Sequence, residues 1–358
     1  MAISGEFRFI ADCCRFSFAR GNGAPAAAGK LDWPLVLQLA RFHRVQGAVA
    51  YALPAVSVHI PEKTANEIAT DATLIAANYL SSAVESEKLL ADFSRAGVPL
   101  LFLKGLTLGA LAYRNASLKA SIDIDLLIGE SDLDEASRLL RSNGYELEIP
   151  KTGDVARLRS WHRGSKESVW SKDSPPLQID LHTRLADNKR MIPAINVRSP
   201  RQLVGVGSGI QLPTLADEEL FAYLAVHCAS SAWFRLKWIA DLAGLLSGLS
   251  AVEIAHLYRR SHELGAGRAA GQALLLADAL FGTLAGAPTL TEELTRDSRT
   301  QRLYLAALRL VSGEASEPTE RPFGTMTIHW TQFLLLPGFG FKVSELMRQA
   351  GRVGARLA

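Results

Sequence analysis

The stretch that most limits what this chain can become is Ser121-Ile122-Asp123-Ile124-Asp125-Leu126-Leu127-Ile128, closed by Gly129. Two acids alternate with aliphatic residues over a run too short and too regular for a helix, which predicts a β-strand. A period of two puts Asp123 and Asp125 on one face and turns Ile122, Ile124 and Leu126 into the opposite layer. Carboxylates this close repel unless protons or a cation compensate them, and apolar flanks make an unpaired acid expensive. The strand therefore needs neighbours, a covering layer and a counter-charge.

Candidate neighbours stand on both sides. Residues 98–103 form an apolar run between Gly97 and Lys104-Gly105, residues 145–149 a shorter one, and Val169-Trp170 a fragment. Beyond the turn Asp173-Ser174-Pro175-Pro176 comes Leu177-Gln178-Ile179-Asp180-Leu181-His182, the last clear strand. Helices fall between them: Leu106 to about Tyr113, and Leu133–Ser142, started by Ser131 or Asp132 and stopped at Asn143-Gly144.

The flanks have a helical period. Asp32 can cap a helix with Pro34 in its first turn, and a long helix from near Pro61 carries Ile68, Leu74, Ile75, Tyr79, Val84, Leu89, Leu90 and Phe93 up to Gly97. From Leu215 the helical period returns, with Asp217-Glu218-Glu219 as first-turn acids and further helices expected over 233–246, 252–264, 267–280 and 302–311. The expected fold class is α+β, a small mixed sheet over 96–212 between an N-terminal helical region (1–95) and a C-terminal one (213–358).

Composition sets the outer limits. Hydrophobic residues make up 48% and charged residues 21%, so the chain can bury a large core and is not disordered. A net charge of +3 gives no case for general nucleic-acid binding. Cys13, Cys14 and Cys228 form neither a disulfide framework nor a zinc spacing. No run of apolar residues is long enough to span a bilayer and the start lacks a signal-peptide pattern, so a cytoplasmic protein is expected.

The chemistry centres on the acids. If the strand bearing Asp180 lies beside the Asp123–Asp125 strand, three carboxylates meet. Three acids suit two magnesium ions, with manganese as the substitute, under a nucleoside triphosphate substrate. Asp123, Asp125 and Asp180 are then both metal ligands and catalytic groups, with Asp180 nearest the acceptor. Lys104-Gly105 ends a strand just before a helix, where a glycine lets phosphate approach the backbone and free N–H groups favour anions. Lys104 and Thr107 are candidate triphosphate contacts, with Lys119 behind them; a solvated Lys104 beside a simple turn is the competing reading. The Walker A spacing is absent.

Several motifs together resemble the polymerase-beta-like nucleotidyltransferase superfamily: Leu103-Lys104-Gly105-Leu106, Tyr113, the segment Lys119 to Ile128 with its D-x-D, and Ile179-Asp180-Leu181-His182. With the segment from His227 to Leu242, which holds Trp233, Trp238 and Asp241, they look more closely like the uncharacterised bacterial nucleotidyltransferase family of peptide-modification and exopolysaccharide gene sets. Lys119 stands where that family often has arginine, which keeps the charge and loses the bidentate fork. The resemblance implies a nucleotidyltransferase core and a helix lining the cleft. On that helix Trp233, Lys237 and Asp241, each four apart, would stack a base and reach phosphate. A packed tryptophan beside a surface Lys–Asp pair is the alternative.

Residues 151–166 are the most basic local stretch, and His162 and Lys166 within it, with His182 two residues after Asp180, are candidates for acceptor binding or proton transfer. A solvated flap and a histidine that merely bonds an acid are the competing readings. The function expected is nucleotidyl transfer from a nucleoside triphosphate to a hydroxyl or phosphate of a peptide, protein or small molecule. Glycosyl transfer from a nucleotide-sugar, or non-catalytic binding within a biosynthetic complex, are the alternatives.

Overall fold

The computed structural model describes residues 3–19, 23–25, 30–313 and 315–357. It opens with α1 (Gly5–Phe18), α2 (Trp33–His43), α3 (Gln46–Ala52) and the long α4 (Glu62–Arg95). Asp32 caps α2 by accepting the Leu35 N–H at 3.2 Å, with Pro34 in the first turn. Along α4, Ile68, Ile75, Leu89 and Phe93 are buried, whereas Leu74 and Val84 of the expected apolar stripe are 60% and 65% exposed. A helix this long outruns the body it packs on, so its stripe is only partly covered.

The central segment alternates as β1 (Leu101–Phe102), α5 (Leu106–Tyr113), β2 (Asp123–Leu127), α6 (Leu133–Ser142), β3 (Glu146–Ile149), α7 (Val155–Gly164), β4 (Glu167–Asp173) and β5 (Pro176–His182). Its five strands order as β1-β2-β5-β4-β3. β2 and β5 run parallel while the other pairs are antiparallel, so the sheet is mixed and the fold α+β. Ile124 and Leu126 enter the core as the period of two requires, but Ile122 lies one residue before β2 and is 59% exposed. Residues 155–164, expected within a basic loop, form a helix. Asp154 caps it by accepting the Ala156 N–H at 2.8 Å, and Leu158 and His162 fill its buried side. An unforeseen hairpin, β6 (Arg201–Gly205) and β7 (Gln211–Leu215), follows.

The remainder is helical: α8 (Asp217–Ala229), α9 (Leu236–Leu246), α10 (Ala251–Glu263), α11 (Gly267–Phe281), α12 (Pro288–Arg296), α13 (Ser298–Val311), α14 (Met326–Gln332) and α15 (Phe339–Leu357). The helix expected from Trp233 begins only at Leu236. Ala232 and Trp233 adopt left-handed φ angles of 49° and 55°, which end the preceding turn.

Two apolar cores result. One lies around the sheet and joins Phe93, Phe102, Ile124, Leu126, Leu139, Trp170 and Ile179. The other gathers helices from both ends of the chain, Phe9 and Val36 packing in one cluster with Trp233, Ile239 and Leu274. Burying one such large apolar side chain contributes about 1.5–3 kcal/mol, so the terminal helical regions hold each other in place as well as the sheet. Cys13, Cys14 and Cys228 are buried free thiols. Among the described residues no helix is long and apolar enough to cross a membrane.

Candidate active site

The register of two strands builds the site. Asp125 on β2 pairs with Asp180 on β5, and two residues further Leu127 pairs with His182. Antiparallel β4 then sets Glu167 opposite His182. Asp123 and Asp125 share a face by alternation, as do Asp180 and His182, so the acids and the imidazole converge on one side of the sheet. Lys104, from the turn after β1, brings its ammonium to 2.7 Å from Asp125 Oδ1. His182 Nε2 lies 3.1 Å from the same oxygen, and its Nδ1 lies 3.3 Å from Glu167 Oε2. Lys166 in turn contacts Glu167. The expected Lys104, Lys166 and His182 thus join Asp125 in a single chain of polar and charged groups, with Glu167 as the member not foreseen.

The three expected acids are not equivalent. Burial resists ionisation of Asp125, but Lys104 and His182 outweigh it and hold the carboxyl well below the usual range. Asp180 has no such partner. Burial, then the charges of Asp125, Asp123 and Glu167, push it up to about 7, against one hydrogen bond from Gln178 Nε2 at 3.0 Å. Burial and Asp125 likewise raise Asp123, opposed by Lys104, Lys237 and Arg44. Two half-buried carboxylates whose ionisation is opposed by desolvation and by neighbouring acids are what a divalent cation relieves.

The donor atoms of Asp125, Asp180 and His182 all lie within 4.8 Å of one another, a set that can hold a metal ion. Asp123 lines the same cleft but falls outside that set. His182 Nδ1 is buried and makes no hydrogen bond among the described residues, with Glu167 Oε2 as its acidic neighbour at 3.3 Å. Two carboxylates with one imidazole fit a divalent ion that accepts mixed oxygen and nitrogen ligands, and the nitrogen makes manganese as natural an occupant as magnesium.

The cleft over these groups encloses about 190 Å³, with Gly105 and Ser121 on its floor and α8 and α9 supplying the far wall. Gly105 needs its glycine. Its φ is 59°, and a Cβ there would stand 3.2 Å from Ser121 Oγ. A larger groove of about 1020 Å³, between α5, α8, α9 and α10, shares no residue with this cleft and contains none of the three acids.

Residues 29–282 match a family model described as uncharacterised nucleotidyltransferase. The chain belongs to that family. No curated protein matches it. The matched span of this nucleotidyltransferase family member includes every cleft residue from Arg44 to Asp241.

Other expected contacts are placed less simply. Lys119 lines the cleft, but its ammonium is bound to Asp241, which also accepts the Tyr113 hydroxyl at 3.0 Å. Both charged side chains are nearly buried, so this pair ties α9 to the turn after α5. Thr107 is buried and its hydroxyl donates to the Lys104 carbonyl at 3.2 Å, which turns it to the backbone. Trp233 is fully buried in the helical core, so it presents no face on which a base can stack. The break before α9 also removes the stripe it was to share with Lys237 and Asp241, and Trp238 is the tryptophan on the cleft wall. His162 is 1% exposed. Its ring nitrogens face Thr183 and Ser168 hydroxyls at 3.0 Å each, and burial with Arg184 nearby pulls its pKa to about 4. From the basic stretch 151–166 only Lys166 reaches the cleft; Arg159 instead pairs with Asp134 on α6.

Proposed function

We propose that this chain transfers a nucleotidyl group from a nucleoside triphosphate to an acceptor hydroxyl or phosphate, in a cleft where Asp123, Asp125, Asp180 and His182 hold the divalent cation. The observation that carries the reading is the register pairing of Asp125 with Asp180, which joins the D-x-D strand to the third acid in a chain of the nucleotidyltransferase family. A bound divalent cation supplies electrophilic activation of the α-phosphorus and neutralises charge on the triphosphate.

The protein groups do the rest. Lys104 keeps Asp125 ionised and aligned, so its charge serves the acid before it serves phosphate. The acceptor oxygen attacks the α-phosphorus, the bond to the β-phosphate bridging oxygen breaks, and pyrophosphate departs. Asp180 is the carboxylate that takes the acceptor's proton. Trp238, rather than Trp233, supplies the aromatic surface for the base. The acceptor is a peptide, a protein side chain or a small molecule such as a sugar phosphate.

The test incubates the purified chain with each labelled nucleoside triphosphate, magnesium or manganese, and panels of peptide, protein and sugar-phosphate acceptors. A nucleotide-sized mass gain that Asp180→Ala abolishes supports the reading. A sugar-sized gain from nucleotide-sugars replaces it with glycosyl transfer. Triphosphate binding without product under any metal leaves a non-catalytic binder.

A further inference from the structure

The basic side chains of the cleft divide sharply. Arg44, Lys104, Lys119, Lys166 and Lys237 all line it. Lys104 is bound to Asp125, Lys119 to Asp241 and Lys166 to Glu167. Among the described residues, Arg44 and Lys237 have no carboxylate within ion-pair distance. They stand close enough to perturb each other, and both act on Asp123. Burial, then the charges of Lys119 and Arg44, pull Lys237 down to about 7. The cleft therefore has two poles: acids whose ionisation burial opposes, at Asp123 and Asp180, and basic side chains with no carboxylate in ion-pair distance, at Arg44 and Lys237.

The second pole is constructed by a stitch between distant parts of the chain. Arg44 ends α2 in the left-handed conformation, with φ 55° and ψ 45°. The two residues before it are tied to the two residues before Lys237. Arg235 donates to the Phe42 carbonyl, and the Leu236 N–H donates to His43 Nδ1 at 3.1 Å. Burial, with Arg235 nearby, pulls His43 down to about 3, so the ring stays neutral and Nδ1 remains an acceptor. Phe42-His43-Arg44 thus lies against Arg235-Leu236-Lys237, and the alignment delivers the two unpaired cations to one wall.

We propose that Arg44 and Lys237 form the polyphosphate subsite of this cleft, binding the phosphates that leave, and that His43 is the positioning residue that aligns them. The guanidinium suits bidentate contact with phosphate, and the ammonium supplies a mobile point charge. Magnesium-loaded polyphosphate satisfies both poles together. This deepens the nucleotidyl-transfer reading and rests on it, and it makes the N-terminal helical region part of the site.

The full chain is titrated calorimetrically with inorganic tripolyphosphate in magnesium, so no transfer is needed. Arg44→Ala and Lys237→Met are each expected to weaken binding by about 10-fold or more and to flatten its salt dependence. His43→Ala is expected to weaken it similarly in folded protein, and His43→Asn, whose side-chain oxygen can accept the Leu236 N–H, to recover part of the loss, which a purely packing role does not predict. If His43→Ala does not fold, the half-exposed Arg44 decides the matter. Wild-type affinity in Arg44→Ala and Lys237→Met overturns the subsite. Loss of tripolyphosphate binding in a chain that yields no product from any nucleotide keeps the subsite and removes the transfer reading. Product formation by Arg44→Ala with unchanged KM for the triphosphate does the reverse.

Discussion

Asp125 and Asp180 face each other across two parallel strands, yet one is held ionised by Lys104 and His182 while the other is raised to about 7. The same sheet position therefore carries a fixed charge on one strand and an adjustable one on the next. The difference comes from contacts and not from sequence, since both aspartates have aliphatic neighbours and the more deeply buried Asp125 is the one kept charged.

Without divalent cations, Asp180 should make stability depend on pH. Its folded pKa exceeds the unfolded value, so its contribution is complete below about pH 4 and is lost as pH rises through about 7. Asp180→Asn should flatten that slope and stabilise the metal-free protein by about 1–3 kcal/mol at pH 8. Urea melts in chelator at pH 5, 6.5 and 8 measure this, and a variant with an unchanged slope refutes it.

Metal binding separates the centre that the strands build from one made of carboxylates alone. His182→Ala and Asp180→Ala should each lower manganese affinity by about 10-fold or more, read by calorimetry or by water relaxation. Wild-type affinity in His182→Ala would remove the imidazole from the ligand set.

Lys119 is expected to act on stability before binding. Its ammonium and the Asp241 carboxylate are 8% and 5% exposed, so Lys119→Met leaves a buried acid with only the Tyr113 hydroxyl and should cost about 3–5 kcal/mol. Lys119→Met with Asp241→Leu should cost clearly less than the sum of the single changes. Additive costs in thermal or urea melts would show that the pair is not coupled.

The two tryptophans should separate cleanly. Trp233→Ala removes a fully buried ring and should cost about 3–5 kcal/mol, while Trp233→Phe keeps nucleotide affinity. Trp238→Ala should lower that affinity about 5-fold or more, because Trp238 is the ring on the cleft wall. Fluorescence titration with a nucleoside triphosphate decides between them, and a loss confined to Trp233→Phe reverses the assignment.

Much of this molecule could be read before folding, and the unread parts share a cause. The strands bearing Asp123, Asp125 and Asp180 are legible because short apolar runs stop at Gly129 and at the Asp173–Pro176 turn. Their adjacency is tertiary, and no local pattern states it. Helix α7 was legible too, through Asp154 and the spacing of Val155, Leu158 and His162, but its arginines mask the period. The β6–β7 hairpin advertised itself in Gly205, Gly207 and Gly209. The break at Ala232 and Trp233 had no glycine or proline to announce it, so the apolar period ran straight through. Arg44 and Glu167 gain meaning from residues brought by other segments, Lys237 for Arg44 and His182 for Glu167.

Parallel strands cannot be joined by a tight turn, and β2 reaches β5 only after α6, β3, α7 and β4 have been laid down. The third acid is therefore a late arrival in folding, because loop closure over that excursion must precede the pairing that delivers it. A nascent or nicked chain that has not closed this crossover has the D-x-D strand without Asp180 beside it.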